Sequence, residues 1–483
     1  MAQAVPVSHE RVARESVLLN AGGAVAFAAI VALLVGFFRP QLEGVGLVAA
    51  GLAIALVPAG LFLLAFIRAD RIEPEPRGMI LGVFVLGAIL AYGIGQPAIR
   101  SYFKVQEWSG GSLWLELAGA ILIAGVVQQF LIYAAVRYSV YHSSEFDERV
   151  DGIIYGAAAG LGYATAFNVL YVTGNNGVDL AIGALRVVTE ALSFACLGGV
   201  TGYFIARAKF DKMGPTWLPI GLLIAAVLNG VIDVLLGAAT GLGGGFSFNP
   251  WLGLVAAVVI AALIFLLLFR LIERLHRVTE MGVAAPETSV IDKILIGRGT
   301  KDEPEWIVWL VAAALLIAGA LIGRDVLGQT RTATAAGMSV TYPARWSRTS
   351  EPGASIAAFD RKGGGADGAR VSAHQVPKAD VLVASGTILD GATNWTLSRG
   401  AELAGYRVLN MAAVKVAGRD AARVDYAYLL DASSGAMPSL MRATDTLVPC
   451  GEKVCVLSFA APAAEYAGLS ETATDLLAGW TIP

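Results

Sequence analysis

Long apolar runs separated by short polar breaks fill the first two thirds of the chain. Spanning a bilayer takes about 20 consecutive apolar residues. Runs of that kind fall at Leu19–Phe37, Val45–Ile67, Met79–Ala98, Leu113–Val136, Val150–Val172, Ile182–Ala206, Leu218–Leu236, Leu252–Phe269 and Ile307–Ile322. The pattern predicts nine membrane helices. From Gly337 onward it changes to that of a soluble domain: Met338–Pro343, Ala369–Val376 and Ala422–Leu430 alternate as strands. DTLVPCGEKVCVLSFAA reads as a hairpin turning at Gly451-Glu452, and 379–399 and 463–478 have helical character. The fold class expected is an all-α polytopic membrane bundle of about nine transmembrane helices, followed by a soluble α+β domain with an antiparallel sheet.

This pattern divides the chain into a cytoplasmic N-terminus (1–18), a transmembrane bundle (19–272), a charged cytoplasmic loop (273–305), a last transmembrane helix (306–323), a Thr- and Ala-rich linker (324–336) and an outer α+β domain (337–483). Composition agrees: 56% of residues are hydrophobic and 15% charged, with a mean hydropathy of +0.66. A formal net charge of −3 gives no electrostatic footprint for nucleic acid. Lys and Arg set the orientation. With the N-terminus inside, the inner segments hold Arg68, Arg71, Arg77, Arg137, Arg149, Arg207, Lys209 and Lys212, whereas the outer loops hold only Arg39, Arg100 and Lys104. Nine crossings then leave the C-terminal domain outside. Cys450 and Cys455 in CGEKVC fit a disulfide in that oxidising compartment, a reduced buried pair being the alternative.

Polar residues inside the spans carry the candidate chemistry. The stretch Val150–Val172 combines closely spaced small residues, which let helices approach, with Asn168, which needs a partner on another helix. Gln128 and Gln129 are adjacent and deep in their span. Successive helical residues point about 100° apart, so one amide is expected to face the Val150–Val172 helix and the other a further neighbour. Arg186 and Glu190 lie one turn apart, as do Asn229 and Asp233. An intramembrane carboxylate is costly and marks function by default, which makes Asp233 the leading candidate.

Several of these pieces resemble the PrsW family of intramembrane proteases, in order and spacing: EPEP (Glu73–Pro76), DGIIYGAAAGLGYATAFNVLY (Asp151–Tyr171), GYFIARA (Gly202–Ala208) and NGVID (Asn229–Asp233). The resemblance covers roughly residues 45 to 240, and it implies a multi-pass protein of the bacterial cell membrane. It also implies catalytic positions, and there this chain departs from the pattern. The family's E-E-x-x-K falls on Gln128, Gln129 and Ile132, and its next glutamate gives way to Phe167-Asn168. A histidine is replaced by Phe194, or by Ser193 if the register slips by one, and of the closing H-x-x-x-D pair only Asp233 remains, with Asn229 in the histidine place. Glu73 and Glu75 keep the family's EPEP. The four histidines, His9, His142, His276 and His374, all fall outside the predicted spans, and a catalytic zinc needs about three protein ligands. No metal or other cofactor is expected.

The outer domain's GMSVTYPARW, AGRDAARVDYAY and final helix before GWTIP resemble extracytoplasmic PsbP/Mog1-like domains; its sequence carries no nucleophile elbow, metal cluster or phosphate loop, so binding of a protein, peptide or envelope polymer is expected. The sequence therefore points to a degenerate intramembrane protease that serves as a membrane scaffold or envelope sensor. Its expected partners are the lipid bilayer and a membrane or envelope protein, with oligomeric state left open. The alternative is an active peptidase with a relocated carboxylate pair, Glu190 and Asp233, working as two carboxylates that share a proton about 3 Å apart. A transporter has less support, since no inverted repeat or paired helix breaks are visible.

Overall fold

The structure is a computed structural model that describes residues 23, 44–69, 75–174, 182–211, 213–239, 250–280, 305–351, 353–360, 368–381, 387–430 and 439–483. The expected first span, Leu19–Phe37, the N-terminal segment 1–18, Glu73 and most of the loop 273–305 lie outside the described residues. Eight helices among the described residues are long and apolar enough to cross a membrane. They are α1 (Gly44–Ala69), α2 (Arg77–Trp108), α3 (Leu113–Arg137), α4 (Arg149–Gly174), α5 (Ile182–Asp211), α6 (Trp217–Ala239), α7 (Pro250–Glu280) and α8 (Trp306–Gly328). The chain forms two compact units, residues 1–105 with 113–323, and residues 106–112 with 324–483.

The bundle is organised around α4. Gly152, Gly156 and Gly160 recur every fourth residue, so they line one face, and that face meets Gly198 and Gly202 of α5. A Cβ on Gly156 would run into the Gly198 carbonyl, and one on Gly202 into the Gly152 carbonyl. Bare backbone on both sides is what permits so close a crossing. A second face of α4 meets α2, where Gly162 sits against the Phe84 backbone and Gly87 against that of Ala159. Polar side chains tie the ends: Tyr155 donates to the buried carboxylate of Glu75, and Asp211 pairs with both Arg149 (2.7 Å) and Arg207 (2.6 Å).

Two helices depart from α geometry. α2 contains π turns at Ala91–Gly95 and Ala98–Tyr102, and α3 contains one at Gly119–Gly125, immediately before the glutamine pair. α8 packs on α3 at three levels. Arg137 pairs with Glu305, Trp309 Nε1 donates to Tyr138 Oη at 2.9 Å, and Gly319 lies against Leu122 and Ile123.

In the second unit, seven strands form an antiparallel sheet of order β3-β4-β5-β9-β8-β7-β6. They are β3 (Ser347–Arg348), β4 (Ala354–Phe359), β5 (Arg370–Pro377), β6 (Arg407–Val416), β7 (Arg419–Leu430), β8 (Ser439–Cys450) and β9 (Lys453–Pro462). A smaller antiparallel sheet joins β1 (Thr330–Ala335), β2 (Met338–Pro343) and β10 (Trp480–Thr481) in the order β1-β2-β10. One core, with Trp346, Phe459 and Trp480, lies between the sheets; the other, with Trp395, Tyr426 and Met441, lies under α10 (Ile388–Glu402), which follows the short helix α9 (Lys378–Val381). α10 starts on a capping box in which Thr387 and Asp390 satisfy each other's backbone N–H groups. The buried Asp445 anchors that helix, accepting from Trp395 Nε1 at 2.6 Å and Tyr426 Oη at 3.0 Å, with Arg399 at 3.7 Å. α11 (Ser470–Ala478) closes the domain ahead of β10.

The stretch 324–336, expected as a linker, is ordered throughout. α8 continues to Gly328, and after Gln329 β1 pairs along its length with β2. Threonines alternating with Arg and Ala suit a strand, and Ala336-Gly337, both at positive φ, close the hairpin. Cys450 and Cys455 flank the β8–β9 turn and are joined by a disulfide.

Candidate functional site

Gln128, Gln129, Ile132, Asn168, Phe194 and Asn229 are buried in the bundle. Gln128 and Gln129 sit side by side on α3, and the turn of the helix sends them to different neighbours. Asn229 of α6 donates to Gln128 Oε1, and Thr201 of α5 donates to Gln129 Oε1 at 3.1 Å. The partners of these two bonds lie on α6 and α5. Helical periodicity fixes the angle between two side chains but not which neighbour occupies each direction. Asn168 of α4 donates to the Val187 carbonyl of α5 at 3.3 Å.

Ile132 is fully buried in the apolar core. Phe167 is half-buried, and Phe194 is buried, stacked on Tyr163 with ring centroids 5.3 Å apart. Glu75 is held by Tyr155 near one end of α4. The interior around the glutamine pair holds amides, hydroxyls and rings, and the bundle also buries the carboxylates of Glu75, Asp151 and Glu190. A neutral amide orients and holds its neighbours but cannot serve as a general base.

Charged side chains lie nearby, and Glu190 is within electrostatic reach of Tyr163. Arg186 stacks over the Tyr171 ring at 4.4 Å and lies within electrostatic reach of Glu190 and Asp233. No direct ion pair joins Arg186 to Glu190 among the described residues. Asp233 is one turn beyond Asn229 along α6. It is exposed, whereas Asn229 is buried. Glu116 of α3 interacts electrostatically with Asp233. Sequence reasoning passed over Glu116 although its signal was available, an acidic residue inside an apolar span. It also passed over Thr201, a residue without any distinguishing pattern.

A multi-helix membrane bundle with small-residue helix crossings and a buried polar centre is the class of protein defined here. The profile of the PrsW family intramembrane metalloprotease matches residues 75–273. Protease PrsW of Bacillus subtilis (strain 168) is 32% identical over 189 residues, covering 39% of this chain and 83% of that protein. Protease PrsW of Geobacillus kaustophilus (strain HTA426) is 34% identical over 191 residues, covering 39% and 79%. The chain belongs to the PrsW family.

For the carboxy-terminal domain the solved structures give only faint likeness. The solution structure of cyanobacterial PsbP from Synechocystis sp. PCC 6803 is 14% identical, covers 32% of this chain and 92% of that one, and scores a TM-score of 0.26. The Ran-binding protein Mog1p of Saccharomyces cerevisiae is 6% identical, covers 32% and 95%, and scores 0.23. Scores of that size carry no argument.

A metalloprotease family implies a bound metal, and the donor set tests whether it fits. Gln128, Gln129, Asn168 and Asn229 offer amides where a metal would need imidazole or carboxylate. Among the described residues, no group of three or more His, Cys, Asp or Glu side chains could hold a metal ion. The residues present do not fit the group.

Proposed function

We propose that this chain is a catalytically degenerate PrsW-family protein, a membrane scaffold or envelope sensor whose carboxy-terminal domain binds a partner outside the cell. The hydrogen bond from Asn229 to Gln128 carries the reading. Two positions that the family pattern fills with histidine and glutamate are here a matched pair of amides, which holds α6 to α3 and activates no water. The N-terminus is assigned to the cytoplasm by the Lys and Arg asymmetry, and the disulfide between Cys450 and Cys455 supports an oxidising compartment for the last domain.

The test compares membrane-protein fragments shed by the wild type, a deletion strain and an Asp233→Ala strain. The scaffold reading expects no fragment to depend on the gene. Fragments lost in both the deletion and Asp233→Ala would overturn it in favour of the second reading, an active peptidase using Glu190 and Asp233. That alternative draws support from the electrostatic interaction of the two carboxylates.

A further inference from the structure

Strand β6 is the free edge of the large sheet. Among the described residues it pairs only with β7, and it stands last in the strand order. At the opposite edge β3 is two residues long, too short to seat another strand. β6 runs for ten residues, Arg407–Val416, without a proline. Proteins usually blunt such an edge, because its unpaired N–H and C=O groups are a template for a further strand. Here the guards are slight: a register shift between Val408 and Asn410, and Lys415 near the far end.

The hairpin fixes which groups face outward. Val416 pairs with Arg419 across Ala417-Gly418, both at positive φ, the geometry of a type I′ turn. The pair flanking such a turn exchanges both of its hydrogen bonds, and bonded and non-bonded pairs alternate from there. Val416, Val414 and Ala412 therefore bond inward to β7. Lys415, Ala413 and Met411 aim their N–H and C=O groups at the open side. The ladder is regular over this stretch, each residue from Asn410 to Val416 having its partner on β7. Both Ala413 and Lys415 are exposed.

Charge narrows the occupant. β6 contains Arg407 and Lys415 and no acidic residue. The exposed Asp420 stands 4.0 Å from Lys415, and an exposed pair of that kind is worth little. Two copies joined through β6 would bring these cations together with no carboxylate on either strand, and like charges facing across a ladder are destabilising. We propose that β6 seats an extended acidic segment of a partner protein as a further strand of the sheet. The segment's main chain bonds to Met411, Ala413 and Lys415, and its carboxylates lie toward Arg407 and Lys415. In strand addition the main-chain bonds give affinity and the side chains give selectivity. This rests on the reading of the carboxy-terminal domain as a binding domain and not on the state of the bundle.

Full-length protein in detergent micelles, titrated with two fluorescent synthetic peptides, tests this by anisotropy. Both peptides alternate valine and threonine; one carries glutamate at each end and the other lysine. The glutamate peptide should bind saturably, and the lysine peptide at least about tenfold more weakly. Ala413→Pro removes an outward N–H and leaves the bonds to β7 in place, so it should abolish binding while the domain still melts cooperatively. Arg407→Glu with Lys415→Glu should reverse the preference between the peptides, and it decides should Ala413→Pro fail to fold. Equal binding of both peptides, binding of neither, or wild-type binding by Ala413→Pro would overturn the proposal. So would dimers that Ala413→Pro disperses, which would make a second copy the occupant. Capture of the same envelope proteins by wild type and Ala413→Pro alike would overturn the edge and spare the broader reading. No capture by either, with neither peptide bound, would overturn both.

Discussion

Asn229 Nδ2 donates to Gln128 Oε1, joining α6 to α3 through two side chains 101 residues apart in the chain. Both residues are buried, at 3% and 6% exposure, so the bond is exchanged for other protein or lipid contacts on unfolding and not for bulk water. A double-mutant cycle with Gln128→Ala and Asn229→Ala is expected to give a coupling of about 0.6–1.7 kcal/mol. Reversible unfolding in mixed micelles measures it. A coupling near zero would mean that the amide pair does not hold the helices together.

The α4–α5 crossing is expected to be the least tolerant part of the bundle. Gly156→Leu and Gly198→Leu each push a side chain into the facing helix backbone. Overpacking ordinarily costs about 1–3 kcal/mol, and rigid backbone on the other side places these at or above that upper end. Folded yield and melting temperature in detergent read the loss. Gly60→Ala on α1, with open space around it, is the control and should be neutral or slightly stabilising, since glycine costs about 0.5–1 kcal/mol in a helix interior.

The carboxy-terminal domain should lose stability in acid through His374. Burial, followed by the nearby Arg399 cation, holds this imidazole below its ordinary range, against opposing pulls from Asp445 and Glu351 and a backbone bond at Gly353. Its ring Nε2 lies 3.0 Å from Ser372 Oγ, and Trp395 packs edge-on to it. With the folded value depressed, the unfolded chain binds the proton more readily. The neutral-His contribution is therefore complete above the unfolded value, about 6.5, and is lost as pH falls below it. Melting of the full-length protein between neutral pH and pH 5 should show the domain's transition falling, and His374→Gln should flatten that dependence.

The Cys450–Cys455 disulfide closes a loop with a sequence separation of 5 on a turn already held by the β8–β9 ladder. Short loops gain least from cross-linking. The chain-entropy relation gives about 2 kcal/mol for a loop this small, before any residual turn structure reduces it. Cys450→Ser with Cys455→Ser should lower the domain's melting temperature modestly without abolishing folding. A collapse of the domain would show that the bridge does more than brace the hairpin.

Much of the architecture was legible because its signals are local. Spanning runs are a matter of length and apolarity, and β2 and β7 announce themselves by alternation. The stretch 324–336 misled because threonine and alanine are as common in linkers as in strands; only the pairing with β2 distinguishes them. The site was legible as residues and not as contacts. The adjacency of Gln128 and Gln129 guaranteed different directions, but Thr201 and Asn229 as partners depend on how α3, α5 and α6 are arranged. Glu116 was hidden by its place near the start of a span, where an acidic residue looks like a helix-end charge.

The π turn at Gly119–Gly125 has a consequence for which changes in length this membrane domain tolerates. A π segment bonds each residue to the fifth one along, and so stores one residue more than α geometry requires. Deleting a single residue there can be absorbed by closing the turn to an α-helix, leaving Gln128 and Gln129 aimed as before. The same deletion within Gly152–Gly160 would rotate half of the glycine face by about 100° away from α5. Natural variation in length should therefore collect in α3 upstream of the glutamines and be absent from α4.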